Sequence, residues 1–329
     1  MNQEKAKGSF KSFISNNAIV VILIVMIIAI TVVRPKFMTS DNIFSVLSAA
    51  STYGCMAMGA GMIIITGGIN LASGAQVAFA GVMGAIFGQQ AANASVLAFG
   101  DLPFIVPLLI TLLAGCLCGL INGVLIAKFN APPFIVTLGM MTVYRGFALL
   151  ITGGEPVSNL TSGYNVLGGS IGGVVPIQVI ILLALTVLTV ILLGHTHFGM
   201  DVYAIGSNRA AAEVSGVKTG NRLILVYLYE GFCCGVTGLI LASRAASIHP
   251  GAADGYELTG IASCIIGGTS PSGGIGKVGH MFVGVLVISV LRNALTLLGV
   301  DSSWQQVAEG LVIVVAVAID VRRSASSKK

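Results

Sequence analysis

Three ionisable side chains stand inside runs that are otherwise apolar: Arg145 in "VYRGFALL", Glu230 in "VYLYEGFCCG" and Arg292 in "VLRNALTLL". A charge at bilayer depth costs at least about 2.5–3.5 kcal/mol on insertion scales, so each is expected to face the protein interior beside a partner. Glu230 with Arg145, or with Arg292, is the pairing the sequence suggests. A pathway or gate residue and a purely structural ion pair both fit such a group.

Two Gly-Gly segments are the second candidates. "ITGGINLASG" (65–74) follows the apolar run "MAMGAGMIII", and "IIGGTSPSGG" (265–274) is written much like it. Adjacent glycines, an asparagine and serines continue a helix poorly and are costly in hydrocarbon. Non-helical backbone at membrane depth is tolerated where protein or a water-filled cavity surrounds it, and repeated broken helices point to a transport pathway. Tight turns at the membrane surface, for which glycine is also suited, are the other reading. Asn70, Ser73, Gln76, Thr269 and Ser270 offer hydrogen bonds to a hydroxyl-rich solute. Gly67, Gly68, Asn70, Ser73, Gly267, Gly268, Thr269 and Ser270 are therefore the residues expected along a substrate path.

Catalytic constellations are missing from the sequence. Cys55, Cys116, Cys118, Cys233, Cys234 and Cys264 lie in apolar runs without CxxC spacing, and read as small packing residues. His195, His197, His249 and His280 show no HExxH pattern, so no metal site is expected. "GGIGKV" has Val278 where a Walker A loop needs Ser or Thr, so ATP is not bound by that route. Uphill transport would need an ion or another subunit as its energy source.

The elements that must position these residues are membrane spans. Of 329 residues 55% are hydrophobic and only 9% charged, and the mean hydropathy is +0.96. Soluble domains carry roughly 25% charged residues, so this chain is an integral membrane protein. The 43 glycines suit closely packed membrane helices. Ten spans of an all-α bundle are expected at 18–33, 43–66, 74–92, 103–127, 134–152, 175–193, 221–243, 257–270, 278–298 and 304–320, with prolines near their edges. The segment 257–270 is short enough to be a half-helix or a re-entrant element. The N-terminal "MNQEKAKGSFKSF" and the apolar run after it look like a signal peptide, but "RPKF" follows with no A-x-A site, so an uncleaved first span is expected.

Ten spans with a cytoplasmic N-terminus place Lys5, Lys7, Lys11, Lys128, Arg209, Lys218, Arg222, Lys277, Arg322, Arg323, Lys328 and Lys329 inside. Only Arg34, Lys36 and Arg244 fall outside, a positive-inside bias that puts both termini in the cytoplasm. The chain divides into a cytoplasmic tail 1–17, one transmembrane domain 18–323 and a cytoplasmic tail 324–329. A polar outer stretch, 153–174, is too weak to span. The inner loop 194–220 contains "NRAAAEVSG", with Asn208 as N-cap, a helix from Arg209 to Ser215 and Gly216 at the C′ position. A helix so short does not persist alone in water, and its alanines offer a smooth face for docking; a plain connector on the membrane surface is the other reading.

The motifs also carry a family resemblance. "GMIIITGGINLASGAQVAFAG", "PPFIVTLGMMTVYRGFALLITGG", "FGMDVYAIGSNRAAAEVSGV", "GYELTGIASCIIGGTSPSGGIG" and "LLGVDSSWQQVAEGLVIVVAVAIDVRR" resemble, in the family's order, the permease subunits of ribose-type bacterial sugar ABC transporters. The likeness covers about residues 15–323. It implies a non-catalytic inner-membrane permease that pairs with a second copy or a close relative, and takes a monosaccharide of the ribose, xylose or galactose type from an extracytoplasmic binding protein. It also implies a cytoplasmic ATPase, with ATP and Mg used by that subunit and no cofactor on this chain. Residues 210–216 correspond to the coupling motif EAAxxxG, with Ala210 in place of the leading Glu; Asn208, Arg209, Ala211, Ala212, Glu213 and Gly216 are then the coupling residues. Asn70 stands where the family often has Asp. The rival reading from another class is a stand-alone ion-coupled transporter or channel, with Glu230 as a proton or cation site.

Overall fold

The structure is a computed structural model that describes residues 18–97 and 99–326. The expected tail 1–17, with Lys5, Lys7 and Lys11, and the last residues 327–329 of the expected C-terminal tail lie outside the described residues. A helix answers every expected span: α1 (Ala18–Val33), α2 (Ser40–Ile65), α3 (Ser73–Phe87), α4 (Ile105–Phe129), α5 (Pro133–Thr152), α6 (Ile177–Gly194), α9 (Thr219–Ala245), α10 (Tyr256–Ile266), α11 (Val278–Leu297) and α12 (Ser302–Ser326). Between α6 and α9 the chain forms α7 (His197–Ser207) and α8 (Arg209–Val214). Outside the helices the described residues hold little regular structure: a two-residue ribbon, Ser170–Ile171 against Val175–Pro176, closes the end of the polar stretch 153–174 and takes the first two residues of the expected span 175–193.

Helix length separates the ten helices into two kinds. Among the described residues, six helices are long and apolar enough to cross a membrane: α2, α4, α5, α6, α9 and α11. At 1.5 Å per residue the 15-residue α3 and the 11-residue α10 extend only about 22 Å and 16 Å, short of the roughly 30 Å hydrocarbon core. Both are half-helices, and their place in the bundle explains why.

The bundle is organised around α9, whose seam with α4 is made of glycine. Gly115 and Gly119 on α4 face Gly231 and Gly235 on α9, four residues apart on each helix, and Gly123 lies against Ile224 and Tyr227. A Cβ at Gly119 would collide with the Tyr227 carbonyl and one at Gly115 with the Gly231 carbonyl, so the backbones lie in direct contact. Small-xxx-small spacing gives membrane helices this approach, since burial of apolar surface drives no association within lipid. On another side α2 packs against α9, with the backbone at Glu230 seated on Gly59. Inter-helix contacts set the levels of the two half-helices. α3 starts where Ser73 meets Glu230 and runs beside α9 toward its Ala245 end, Gly81 lying on Gly238. Glu230 itself is eleven residues after Thr219 and fifteen before Ala245. α10 starts where the Tyr256 ring stands edge-on to Tyr53, 6.1 Å between centroids, and runs beside α2 the other way. Its Gly260 touches Met56, and Cys264 Sγ donates to the Ala57 carbonyl at 3.2 Å.

Both half-helices thus begin near the middle of the bundle and leave toward opposite faces. Their first turns meet: a Cβ on Gly74 would strike the Ala253 carbonyl and a Glu257 carboxylate oxygen. Two segments lead the chain back to that level. Residues 66–72 return from the face that carries α7 and α8, called here the loop face. Residues 246–255 return from the opposite face, where Val157 pairs with Ile248 and Gln89 with Leu160. These are re-entrant segments of opposite direction, a plan in which non-helical backbone is wrapped in protein.

Candidate functional site

The re-entrant segment 66–72 owes its shape to glycine and to side chains that stand in for helix bonds. Ile65 ends α2, and Gly67 turns the chain at φ +79°, a left-handed conformation that suits glycine. The backbone donors of the segment are then met by side chains. Leu71 N donates to Thr137 Oγ1 at 3.1 Å, and Ala72 N donates to Asn70 Oδ1 at 2.9 Å. Thr137 sits one turn into α5, after the Pro132–Pro133 pair that starts the helix.

Beneath this segment lies Glu230, fully buried. Ser73 Oγ donates to its Oε1 at 2.6 Å, Asn70 Nδ2 to Oε2 at 2.9 Å, and Cys234 Sγ to Oε1 at 3.1 Å. Gln76 Oε1 also accepts from Asn70 Nδ2 at 3.3 Å. The carboxylate lies against the first turn of α3, where the partial positive charge of a helix N-terminus favours an anion. Neutral donors and a helix end therefore hold this group, and the expected pairing with Arg145 or Arg292 is corrected. Among the described residues the ion pairs are Arg145–Asp254, Arg209–Glu213, Arg222–Asp201 and Arg292–Glu309.

Arg145 serves the other re-entrant segment. One guanidinium nitrogen donates to the carbonyls of Pro250 and Ala252, each at 2.8 Å, and the group lies 3.8 Å from Asp254. Arg292 bonds both oxygens of Glu309, and its Nη2 also donates to Thr259 Oγ1 at 3.1 Å.

The second Gly-Gly segment is placed differently from the first. Gly267 packs directly on the backbone at His280 and Met281, and Thr269 N closes a turn to the Cys264 carbonyl at 3.0 Å. Ser270 N donates to the Ile275 carbonyl at 3.0 Å. Residues 267–277 thus form a turn at the loop face, after the half-helix and not before one. In three dimensions the counterpart of 66–72 is 246–255, which the sequence gives as an ordinary outer connection. The two Gly-Gly segments do meet, however: Gly274 N donates to the Ile65 carbonyl at 2.8 Å. Gly206 of α7 lies against both, so close that a Cβ there would collide with the Ile65 carbonyl. Tyr203, one turn earlier, donates its hydroxyl to the Gly276 carbonyl at 2.8 Å. Residues 65–67, 273–276 and 203–207 make one clasp. Gly67 and Gly268 are turn residues of this region, Gly68 sits beside the Tyr227 hydroxyl, and Asn70 and Ser73 lie deeper, on Glu230.

From the clasp the chain runs directly into α8. Asn208 caps it as expected, its Oδ1 accepting from Ala211 N at 3.0 Å, and Gly216 follows at φ +90°. Arg209 reaches Glu213 Oε1 at 3.2 Å and Asn130 Oδ1 at 3.2 Å. Thr219 Oγ1 donates to Glu213 at 2.6 Å. The Thr219 hydroxyl first, then Arg209, hold the Glu213 carboxyl below the usual carboxylate range. The alanines do not share one outward face. Ala212 is buried against Ile205 and Leu223, while Ala210 and Ala211 are exposed and Val214 is 91% exposed. Sequence reasoning missed Val214, Thr137 and the carbonyls of 250–252. Only Cys234, four residues from Glu230 and so on the same helical face, carried a signal that could have found it.

Comparison with known proteins identifies a family for the whole chain. Residues 42–317 match the family described as branched-chain amino acid transport system / permease component. The ribose import permease protein RbsC of Bacillus subtilis (strain 168) is 36% identical over 305 residues, covering 92% of this chain and 92% of that protein. The galactose/methyl galactoside import permease protein MglC of Escherichia coli (strain K12) is 34% identical over 331 residues, 98% of each chain. RbsC of Escherichia coli (strain K12) is 32% identical over 319 residues, 95% of this chain and 96% of that protein. No solved structure matches the chain. With a family match over most of its length and relatives above 30% identity end to end, this polytopic α-helical chain belongs to the family of transport-system permease components, as its motifs imply.

Proposed function

We propose that the chain is the membrane subunit of an ATP-driven importer that moves a monosaccharide, with the loop face in the cytoplasm. Names of the relatives support the sugar: they are ribose and galactose import permeases. The positive-inside bias supports the orientation and cytoplasmic termini. In this reading an ATPase subunit, which uses ATP and Mg, docks on α8, and a sugar-binding protein delivers substrate at the opposite face. A second permease subunit completes the pore. The chain itself performs no covalent chemistry.

The observation that carries the reading is the bare, capped helix α8 joined to the clasp. A six-residue helix with an apolar residue 91% exposed is a poor element for a protein working alone, and a good one for seating in a partner's groove. Its motion has a rigid route inward. α7 touches Ile65 and Gly274 backbone to backbone, Ile65 leads into 66–72, and that segment ends on Glu230 and the first turn of α3. Closure of two ATPases on α8 biases the equilibrium between inward-open and outward-open states, and loss of ATP reverses it.

Val214→Glu tests this. In proteoliposomes holding the assembled importer, sugar uptake should fall at least tenfold and the binding protein should no longer stimulate ATP hydrolysis. Insertion and thermal stability should stay unchanged, because Val214 touches little of its own chain. Normal uptake by this variant would overturn the docking assignment.

A further inference from the structure

We propose that a polar pocket between α10, α11 and α12 is a contact site for the hydroxyl groups of the transported sugar; this rests on the monosaccharide-import reading. The cavity holds about 210 Å³ and is lined by Asp254, Leu258, Thr259, Arg292, Gln306 and Glu309 among others. Sites for drug-sized ligands run to about 300–1,000 Å³, so this one suits a smaller solute.

Its depth makes the lining informative. Glu309 is seven residues into α12, about 10 Å from the helix start. Asp254 and Gly255 lead straight into α10, the half-helix that begins near mid-bundle. The Asp254 side chain is nonetheless 90% exposed. An exposed carboxylate at that level does not face hydrocarbon, so this face of the subunit borders water, a polar solute or the second permease subunit.

The chemistry favours a neutral polyol. Asp254 and Glu309 supply acceptors, Arg292 and the Gln306 amide supply donors, and Thr259 can do either. Charge is balanced within the site: Arg292 is bonded to Glu309, and Asp254 lies 3.8 Å from Arg145. An anionic or cationic solute would meet no net opposite charge there. Leu258 is the sole aliphatic side chain among the lining residues, which is thin provision for a branched-chain amino acid. The groups are also held in place, since the Arg292 guanidinium lies 5.4 Å from the Tyr53 ring centroid and donates to Thr259 at 3.1 Å. Fixed, paired polar groups reorient little when a hydroxyl arrives, which limits the entropic cost of contact.

Thiol labelling in the assembled permease–ATPase complex tests the site. Gln306→Cys and, separately, Asp254→Cys would be placed in the reconstituted complex and treated from the binding-protein side with a membrane-impermeant maleimide. Both should label, and millimolar ribose or galactose should slow labelling at least fivefold, whereas glycine betaine or leucine should not. No labelling at either position, or labelling that no sugar slows, would overturn the proposal. Wild-type complex that takes up neither sugar with its binding protein present would instead overturn the import reading on which the proposal stands.

Discussion

The two re-entrant segments solve one problem with opposite chemistry. Segment 66–72 presents donors, the side chains of Asn70 and Ser73, to a buried anion on α9. Segment 246–255 presents acceptors, the carbonyls of Pro250 and Ala252, to a cation on α5. Glu230 is sealed at 0% exposure, while the Arg145 side chain is 20% exposed and its neighbour Asp254 far more. The first segment is a closed lock inside the bundle; the second is a strap at the edge of an opening. α2 and α9 meet at Glu230 beneath the first, and α5 reaches both, Thr137 bonding Leu71 and Arg145 bonding the second segment.

That difference predicts unequal costs. Glu230→Ala should be the most damaging, since Asn70 Nδ2 and Ser73 Oγ each lose their best acceptor and keep only a longer one, on Gln76 and on the Asn70 carbonyl, at a cost approaching about 1–3 kcal/mol per weakened buried donor. Thermal unfolding of the detergent-solubilised protein should show the loss. Glu230→Gln, which keeps one acceptor oxygen, should be milder and should leave uptake insensitive to a protonophore. A proton-gradient component that vanished in that variant would turn Glu230 from a lock into an ion site.

Arg145→Ala comes next, at about 1.5–3 kcal/mol for losing charge-assisted bonds. Its signature should be local: faster hydrogen exchange across 249–255, with 66–72 unaffected. Equal deprotection of both segments would mean that they open as one unit. Asp254→Asn should be the smallest, no more than about 0.5 kcal/mol in stability, because an exposed pair at this separation contributes little. A larger change would show that Asp254, and not Arg145, holds the strap.

The sequence shows the helices more plainly than their depth. Pro133, Gly153 and Gly216 mark ends that the structure keeps, and apolar stretches of twenty residues leave little choice of element. The dip of 246–255 is not legible, because "HPGAADG" carries the same small and polar residues as any surface turn. Only the shortness of 257–270 hints at it. "GGTSPSGG" and "GGINLASG" share left-handed glycine turns, although the first follows a half-helix and the second precedes one. Glu230 shows a third limit. A buried charge suggests a salt bridge, yet three neutral donors and a helix end suffice, and two of those donors are 157 and 160 residues away in sequence. The α8 cap was legible because Asn208 and Gly216 act on their own neighbours. Which alanine points inward depends on Ile205 and Leu223, and that only packing decides.

The most direct test of this account is solute accumulation by the purified chain in sealed vesicles, with loaded sugar-binding protein on the outside, compared with and without its ATPase subunit and internal ATP. Sugar should concentrate inside only when both ATPase and ATP are present. Accumulation by the chain without a nucleotidase, driven by an ion gradient, would contradict it.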